Sequence, residues 1–429
     1  MKTRLRTAGA AVIGMTVIAA LPACGQTVER RISGAPAGSV QFHFAAREGV
    51  CGDGRTYVRA DGDGWYGSFN DMVRSMPCEA GPIRVLLVRD GRDLVRVQTY
   101  AGPLASEPGA TDLGAVSASD AATYLVGVAS RVDGRPGRDA LLPAMLADSA
   151  SVTRDLLALA KDQQRSRDVR RSALSWLVRR RAERGGLSSE ELSRTLTTIA
   201  RDESENRDVR SQAVSSLARL ETGEGLAAIV SMTQDASDSW LARRSVEALA
   251  STGDPRSRQY LRAAAERAEL TEEGRVAAIN GLAGEYSTSK DGEFLRLLYK
   301  KVNSDRLRDA VMNGVAQIGG SDSREWIIAL ARDTNEPIRQ RKRAIELADR
   351  IGMTAADLSK LYDSIDDAEV RSTIISGLAQ LGTHAASDKL ISIAKTDPSV
   401  SNRRRAIQAL GRFDDPKVRE ALKELVERS

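Results

Sequence analysis

Histidine and cysteine are almost missing from this chain, with two and three residues among 429. That scarcity excludes Cys/His zinc cages of ordinary spacing and leaves only His43 and His384 as imidazole bases for a serine-type triad. No Gly-Lys-Ser/Thr follows a strand-like run, so a phosphate-cradling loop is excluded as well. Beyond the N-terminus no stretch approaches the twenty or so apolar residues of a membrane span. Lysine is sparse, supplying 11 of the 63 basic residues against 52 arginines. The 58 acids nearly balance these bases, for a formal charge of +5, and 41% of residues are apolar. That composition is far too apolar for a disordered chain, and the length calls for several units or an elongated array rather than one core.

Lys2, Arg4 and Arg6 precede an apolar run from Ala8 to Ala23. Sixteen residues are short for a membrane span and suit the apolar region of a secretory signal. The run ends Leu21-Pro22-Ala23-Cys24, which resembles a bacterial lipobox, although Pro22 departs from the small or β-branched residue usual there. The resemblance implies that residues 1–23 are a signal peptide and that Cys24 carries a lipid. It further implies, with Gly25 next, an exported periplasmic or outer-membrane lipoprotein; ordinary signal cleavage nearby is the alternative. Without residues 1–23 the balance becomes 60 bases against 58 acids, or +2. No strongly basic footprint for nucleic acid then remains.

Residues 24–38 are rich in Gly, Ala, Arg and Thr and read as a tether. Composition changes after them. Seven of the chain's 17 aromatics fall between Phe42 and Tyr100. Val40, Phe42 and Phe44 alternate with Gln41 and His43, the period of a half-buried strand. Two β-branched-rich runs, Ile83 to Arg89 and Arg92 to Tyr100, flank Asp90-Gly91, the sequence of a tight hairpin turn. A small β domain over 39–104 is therefore expected. Its Cys51 and Cys78 would pair in an oxidising compartment, a closure of roughly 3–3.5 kcal/mol in the entropic account. Cys51-Gly52-Asp53-Gly54 and Asp61-Gly62-Asp63-Gly64 tempt a calcium assignment. Neither has the closing bidentate Glu, and Gly-rich turns account for both.

From about Ala118 the period lengthens to that of helices. Ala121–Ser130 and Asp139–Ala147 look like a first, degenerate helix pair. Beyond them one pattern recurs: Asp168-Val169-Arg170 with Ala173 and Leu177, Asp208-Val209-Arg210 with Ala213 and Leu217, Glu369-Val370-Arg371 with Ile374 and Leu378. Looser copies place small or apolar anchors at 245, 278, 311, 344 and 406, so that successive anchors lie 40, 32, 33, 33, 33, 30 and 32 residues apart. A period near 33 built from two helices means a solenoid. The first helices end Leu159-Ala160-Lys161-Asp162, Ile199-Ala200-Arg201-Asp202 and Leu330-Ala331-Arg332-Asp333. Together with the Asp/Glu-Val-Arg openings, these resemble HEAT repeats, closest to the HEAT-like class first named from phycobilin lyases. The resemblance implies a mainly α fold: a right-handed α-solenoid of about eight helix pairs over 118–429, after the disulfide-stapled β domain. A polar-faced last helix with Val418, Leu422, Leu425 and Val426 on one side should cap it.

A fold of this type does not fix a function. Arg170, Arg210, Arg243, Arg308, Arg339 and Arg371 recur about once per repeat and read as a structural ladder to neighbouring acids. Three basic triplets exceed what a ladder needs: Arg179-Arg180-Arg181, Arg341-Lys342-Arg343 and Arg403-Arg404-Arg405. These nine residues are the candidate partner surface. Trp176, Trp240 and Trp326 fall at core spacing. His384 sits in an inter-repeat loop with no nucleophile elbow near it. The sequence therefore points to no catalytic residue, cofactor, metal or small-molecule substrate. It points to a non-catalytic protein–protein interaction scaffold of the bacterial cell envelope, reached by a protein partner and tied to the membrane by the N-terminal lipid. The alternative is an accessory or inhibitory module that binds an exported enzyme through the β domain.

Overall fold

The computed structural model describes residues 27–60, 64–67, 78–105, 107–148, 150–179, 186–220, 223–235 and 237–427. The expected signal peptide, Cys24, Asp61 to Asp63, Arg180 and Arg181 lie outside them. The chain divides into two compact units, Met1–Gly186 and Leu187–Ser429. Twenty helices and eight strands occur among the described residues.

The first unit runs α1 (Val28–Gly34), β1 (Val40–Phe44), β2 (Val50–Gly52), β3 (Tyr57–Ala60), β4 (Gly64–Gly67), β5 (Glu79–Ala80), β6 (Ile83–Asp90), β7 (Asp93–Ala101), β8 (Thr111–Ala115), α2 (Ala118–Arg131), α3 (Gly134–Leu146), α4 (Thr153–Lys161) and α5 (Arg167–Arg179). One sheet has the order β7-β6-β1-β8, the other β4-β3-β2-β5. β1 pairs antiparallel with β6 and parallel with β8, so the first sheet extends past residue 104. Phe42, Phe44, Ile83, Val85 and Leu87 are fully buried, and α3 packs on β6 and β7.

The alternation in β1 does not leave a wet face. Gln41 is buried; its amide donates to Asp112 (2.8 Å), and its Oε1 accepts from Arg84 (3.4 Å) and the Glu107 N–H (3.2 Å). Arg84, also buried, donates to the Gly54 carbonyl (3.0 Å) and stacks on Tyr100 at 4.1 Å. The hairpin forms, shifted by one residue. Asp90 pairs with Asp93, so Gly91 and Arg92 make the turn, with Gly91 at φ +61°. Glycine suits that left-handed position because it carries no Cβ. Cys51 and Cys78 are joined, with Cα atoms 5.2 Å apart, tying β2 to the residue before β5.

The tether reading of 24–38 needs correction over its described part. α1 buries Val28 and Ile32. Arg31 donates to the carbonyls of Leu113 and Ala115. Arg89 donates to those of Ile32 (3.1 Å), Pro36 (2.6 Å) and Gly38 (2.7 Å). Local composition looks like a linker because much of what fixes the segment comes from elements far along the chain.

The second unit is a run of helix pairs: α6 (Ser189–Arg201) with α7 (Arg207–Ala218), α8 (Gly223–Thr233) with α9 (Ser239–Ala250), α10 (Pro255–Glu266) with α11 (Glu272–Leu282), α12 (Ser289–Tyr299) with α13 (Asp305–Ile318), α14 (Gly320–Arg332) with α15 (Ile338–Glu346), α16 (Ala355–Asp363) with α17 (Ala368–Leu381), and α18 (His384–Thr396) with α19 (Val400–Leu410). α20 (Pro416–Glu427) follows. Second helices pack on second helices, and first on first. The predicted anchors Ala213, Ser245, Ala278, Val311, Ala344, Ile374 and Ala406 have no exposed surface, and neither has Ala173 on α5. Small anchors let neighbouring helices approach, and each interface adds its own increment of stability. In α20 the buried residues are Val418 and Ala421. Leu422 and Leu425 are half-buried, and Val426 is 76% exposed, so the expected apolar face stops one turn short.

Candidate functional site

Arginine three residues before the anchor is the recurring polar element. The Nε of Arg170, Arg210, Arg275 and Arg341 donates to the carbonyls of Ala160, Ala200, Ala265 and Ala331, at 3.2, 2.8, 3.0 and 3.1 Å. Arg308, Arg371 and Arg403 donate instead to Val302 (3.1 Å), Ile365 and Asp397 (2.8 Å). These carbonyls lie at or just past the end of the first helix of the same pair, where the last turn leaves acceptors unpaired and favours positive charge. An acid further along often closes the other side: Asp238 on Arg210, Glu336 on Arg308 at 3.9 Å, Asp397 on Arg371 at 3.4 Å. Burial pushes the Asp238 carboxyl up, but the Leu241 N–H and Arg210 outweigh it and hold it below its ordinary value. Tyr299 and Tyr362 pack under Arg308 and Arg371, and their hydroxyls donate to Glu336 (3.0 Å) and Asp397 (2.5 Å). Burial and those carboxylates raise both phenols.

This corrects the expected ladder and one expected surface. Arg243 and Arg339 do not belong to the series; they pair with Glu247 at 3.3 Å and Asp309 at 2.6 Å. Arg341, read as surface, is 6% exposed. Arg403 is half-buried on the Asp397 carbonyl. Among the other described triplet residues Arg179, Arg404 and Arg405 are exposed, and Lys342 and Arg343 are half-buried. Arg179 lies over Trp176 at 5.2 Å. Lys342 is 3.7 Å from Glu369. Arg343 is held by Glu346 (2.9 Å) and Asn313 (3.0 Å).

Lys342 and Arg405 stand on the walls of one groove of about 700 Å³ across α15, α17 and α19. Its floor is α17, which presents Glu369, Ser372, Thr373, Ser376, Gly377 and Gln380, one successive face of the helix. α15 adds Glu346 and α19 adds Ser401 and Asn402. Asn402 is 1% exposed, and its Nδ2 has no hydrogen-bond partner. Short hydroxyl side chains between longer charged ones leave a polar trough with donors and acceptors of both kinds. That lining suits the backbone and polar side chains of a protein segment, whereas small-molecule sites are usually more apolar. The sequence pointed to Lys342 and Arg405 as basic excess; the serines and Asn402 carried no signal above an ordinary polar helix face.

The remaining sequence candidates lie apart from this groove. His384 Nδ1 is 2.8 Å from Asp415 on an exposed ring, while the Ser387 hydroxyl donates to the His384 carbonyl rather than the ring. His43 is half-buried on β1. Asp53 spends its carboxylate on its own turn, accepting from the N–H groups of Arg55, Thr56 and Tyr57 and the Thr56 hydroxyl. Burial raises its pKa, but these donors outweigh that and lower it to about 2. Trp240 lies under Arg210 at 4.8 Å, and Trp326 meets Tyr299 edge-on at 5.3 Å. Buried Asp291 receives both Arg258 and Arg262, each at 2.8 Å, and sequence reading missed this cluster.

No curated protein matches the chain in sequence. Among solved structures, human deoxyhypusine hydroxylase is similar at 18% identity, over 56% of this chain and 96% of its own, with a TM-score of 0.27. The phycocyanin lyase complex of Nostoc sp. PCC7120 matches at 14%, over 61% and 93%, with a TM-score of 0.28. Kap121p bound to Ste12p matches at 14%, over 69% of this chain and 37% of Kap121p, with a TM-score of 0.45. The family described as HEAT repeats matches residues 193–283 and 355–429. The helix pairs between these segments keep the same buried anchors, Val311 and Ala344, and the same capping arginines, Arg308 and Arg341. Both matched segments lie in the second unit, and together they cover less than half of the chain.

Proposed function

We propose that this chain is a non-catalytic scaffold that binds a protein partner along its second-helix face, in the groove of α15, α17 and α19. The observation that carries the proposal is the trough itself: a hydroxyl-lined floor with Lys342 and Arg405 on opposite walls and the unpartnered amide of Asn402. Repeat proteins use extended surfaces of this kind for binding. The scaffold works outside the bacterial cytoplasm, exported by residues 1–23 and held at the membrane by a lipid on Cys24. The motivation is the lipobox-like sequence and the pairing of Cys51 with Cys78, since disulfides persist in oxidising compartments.

A photo-crosslinking residue at Ser376, introduced in native cells, tests the binding face. A discrete adduct that disappears with Lys342→Glu and Arg405→Glu is expected. An adduct pattern unchanged by both substitutions rules the groove out. Intact mass of the membrane-extracted protein checks the anchor: a diacylated Cys24 is expected, and a free N-terminus at another residue overturns it. Among the described residues no particular feature of the β region favours the alternative, in which that region engages an exported enzyme.

A further inference from the structure

A second groove, of about 540 Å³, lies wholly within the first unit, between α1, α2 and α4. Its floor is apolar: Val28, Val126 and Leu159 are buried there, beside Tyr124, Gly127 and Ala158. The facing residues are short. Thr123, Gly127 and Ser130 on α2 look across to Asp155, Ala158 and Asp162 at the other wall. Each set spans two helical turns, or about 10 Å.

The rim carries the opposite charge to the chain. Glu29, Asp120, Asp155 and Asp162 line the groove against one base, Arg131, so its lining is −3 in a chain of +5. Arg131 is already paired with Glu29 at 3.2 Å, and Asp162 shares Arg165 at 3.3 Å. Asp120 and Asp155 make no ion pair among the described residues. Their positions in the first turns of α2 and α4 account for their tolerance there. They do not account for their convergence, from two helices, on one apolar trough.

That combination selects the occupant. An apolar anchor entering the trough strips water from the carboxylates around it, which is costly unless cations arrive with it. An anionic or uncharged partner leaves the rim uncompensated. We infer that this groove is a docking site for a basic amphipathic helix of a partner protein, with apolar side chains at i, i+3 or i+4, and i+7 in the trough and Lys or Arg flanking them. A groove between two helices two turns long fits that mode of recognition.

The test is fluorescence anisotropy on the whole protein with a labelled Lys/Leu amphipathic helical peptide. Glu/Leu and Lys/Gln versions serve as competitors. Binding is expected to weaken about tenfold or more in D120N/D155N, which removes the two rim carboxylates that have no ion pair, and in A158L, which fills the trough from an exposed helical position. Leucine is nearly as good a helix former as alanine, so A158L should keep the fold, and far-UV circular dichroism checks it. Neither competitor should displace the probe. K342A/R405A, in the other unit, should bind as the unaltered protein does, which separates this groove from the one proposed above. Affinity within twofold of the unaltered protein in either variant overturns the inference. So does displacement by the Lys/Gln peptide, or no binding of the Lys/Leu peptide at all.

Discussion

Arg31 and Arg89 in the first unit and Arg210 and Arg341 in the second perform the same chemistry, donating to backbone carbonyls, yet in different patterns. In the first unit Arg31 and Arg89 each serve a single place, on carbonyls their own sequence neighbourhoods do not identify, and Arg170 alone of the described residues there follows the repeated pattern. The disulfide, the Asp53 turn and the Gln41–Arg84 layer are equally singular. In the second unit one arginine position is repeated along the array, always three residues before a buried anchor. The difference teaches where damage should spread. A unit built from single devices has no spare copy of any, whereas a repeat unit loses one interface at a time.

The largest effect that would sharpen this contrast is expected from Cys51→Ser with Cys78→Ser. Opening a 27-residue loop should cost roughly 3 kcal/mol. The loss should fall on the first unit alone, seen in urea unfolding as a shift of one transition and not the other. Movement of both transitions would break the comparison. Arg210→Ala comes next, at about 2–3 kcal/mol, because it leaves Asp238 and the Ala200 carbonyl without their partner inside the array. Hydrogen exchange should show loosened protection in α6 to α9 and near-unchanged protection in α16 to α19. Uniform loss across the unit would contradict the one-interface picture.

The smallest effect is Asp53→Asn, at about 1 kcal/mol once solvent screening is allowed for. The Asp53 pKa is lowered from 3.8 to about 2. A carboxylate with a depressed folded pKa adds stability above its unfolded value and loses it as pH falls through the folded one. The unaltered protein should therefore weaken between about pH 4 and pH 2 relative to the variant, and the two should converge below that. A constant difference down to pH 2 would show that the turn, not the charge, is what matters.

The same comparison explains what the sequence made legible. The anchors could be read because burial of one helix face imposes a period that any window reveals, and all eight are buried. The expected ladder takes the arginine one or two residues past the apolar residue that opens the second helix, which brings in Arg243 and Arg339 and passes over Arg275, Arg341 and Arg403. Distance from the anchor is the physical invariant, because it fixes which face of the helix the side chain leaves. α1 and the acidic groove were not legible. Each depends on residues brought together from distant elements, and no local pattern marks them. The polar groove was half legible, through Lys342 and Arg405, since excess charge shows in sequence and small hydroxyl residues do not.

The capping arginines reach back by two different distances. Arg170, Arg210, Arg275 and Arg341 find a carbonyl ten residues earlier, while Arg308, Arg371 and Arg403 find one six earlier. The connecting segments themselves differ little, being five residues before α5, α7, α11, α13 and α15, four before α17 and three before α19. The long side chain thus acts as an adjustable strut that can seal either the last turn of the preceding helix or the loop just beyond it, without moving the helix it springs from. Loop conformation can therefore drift at these joints while the stacked interfaces stay in place.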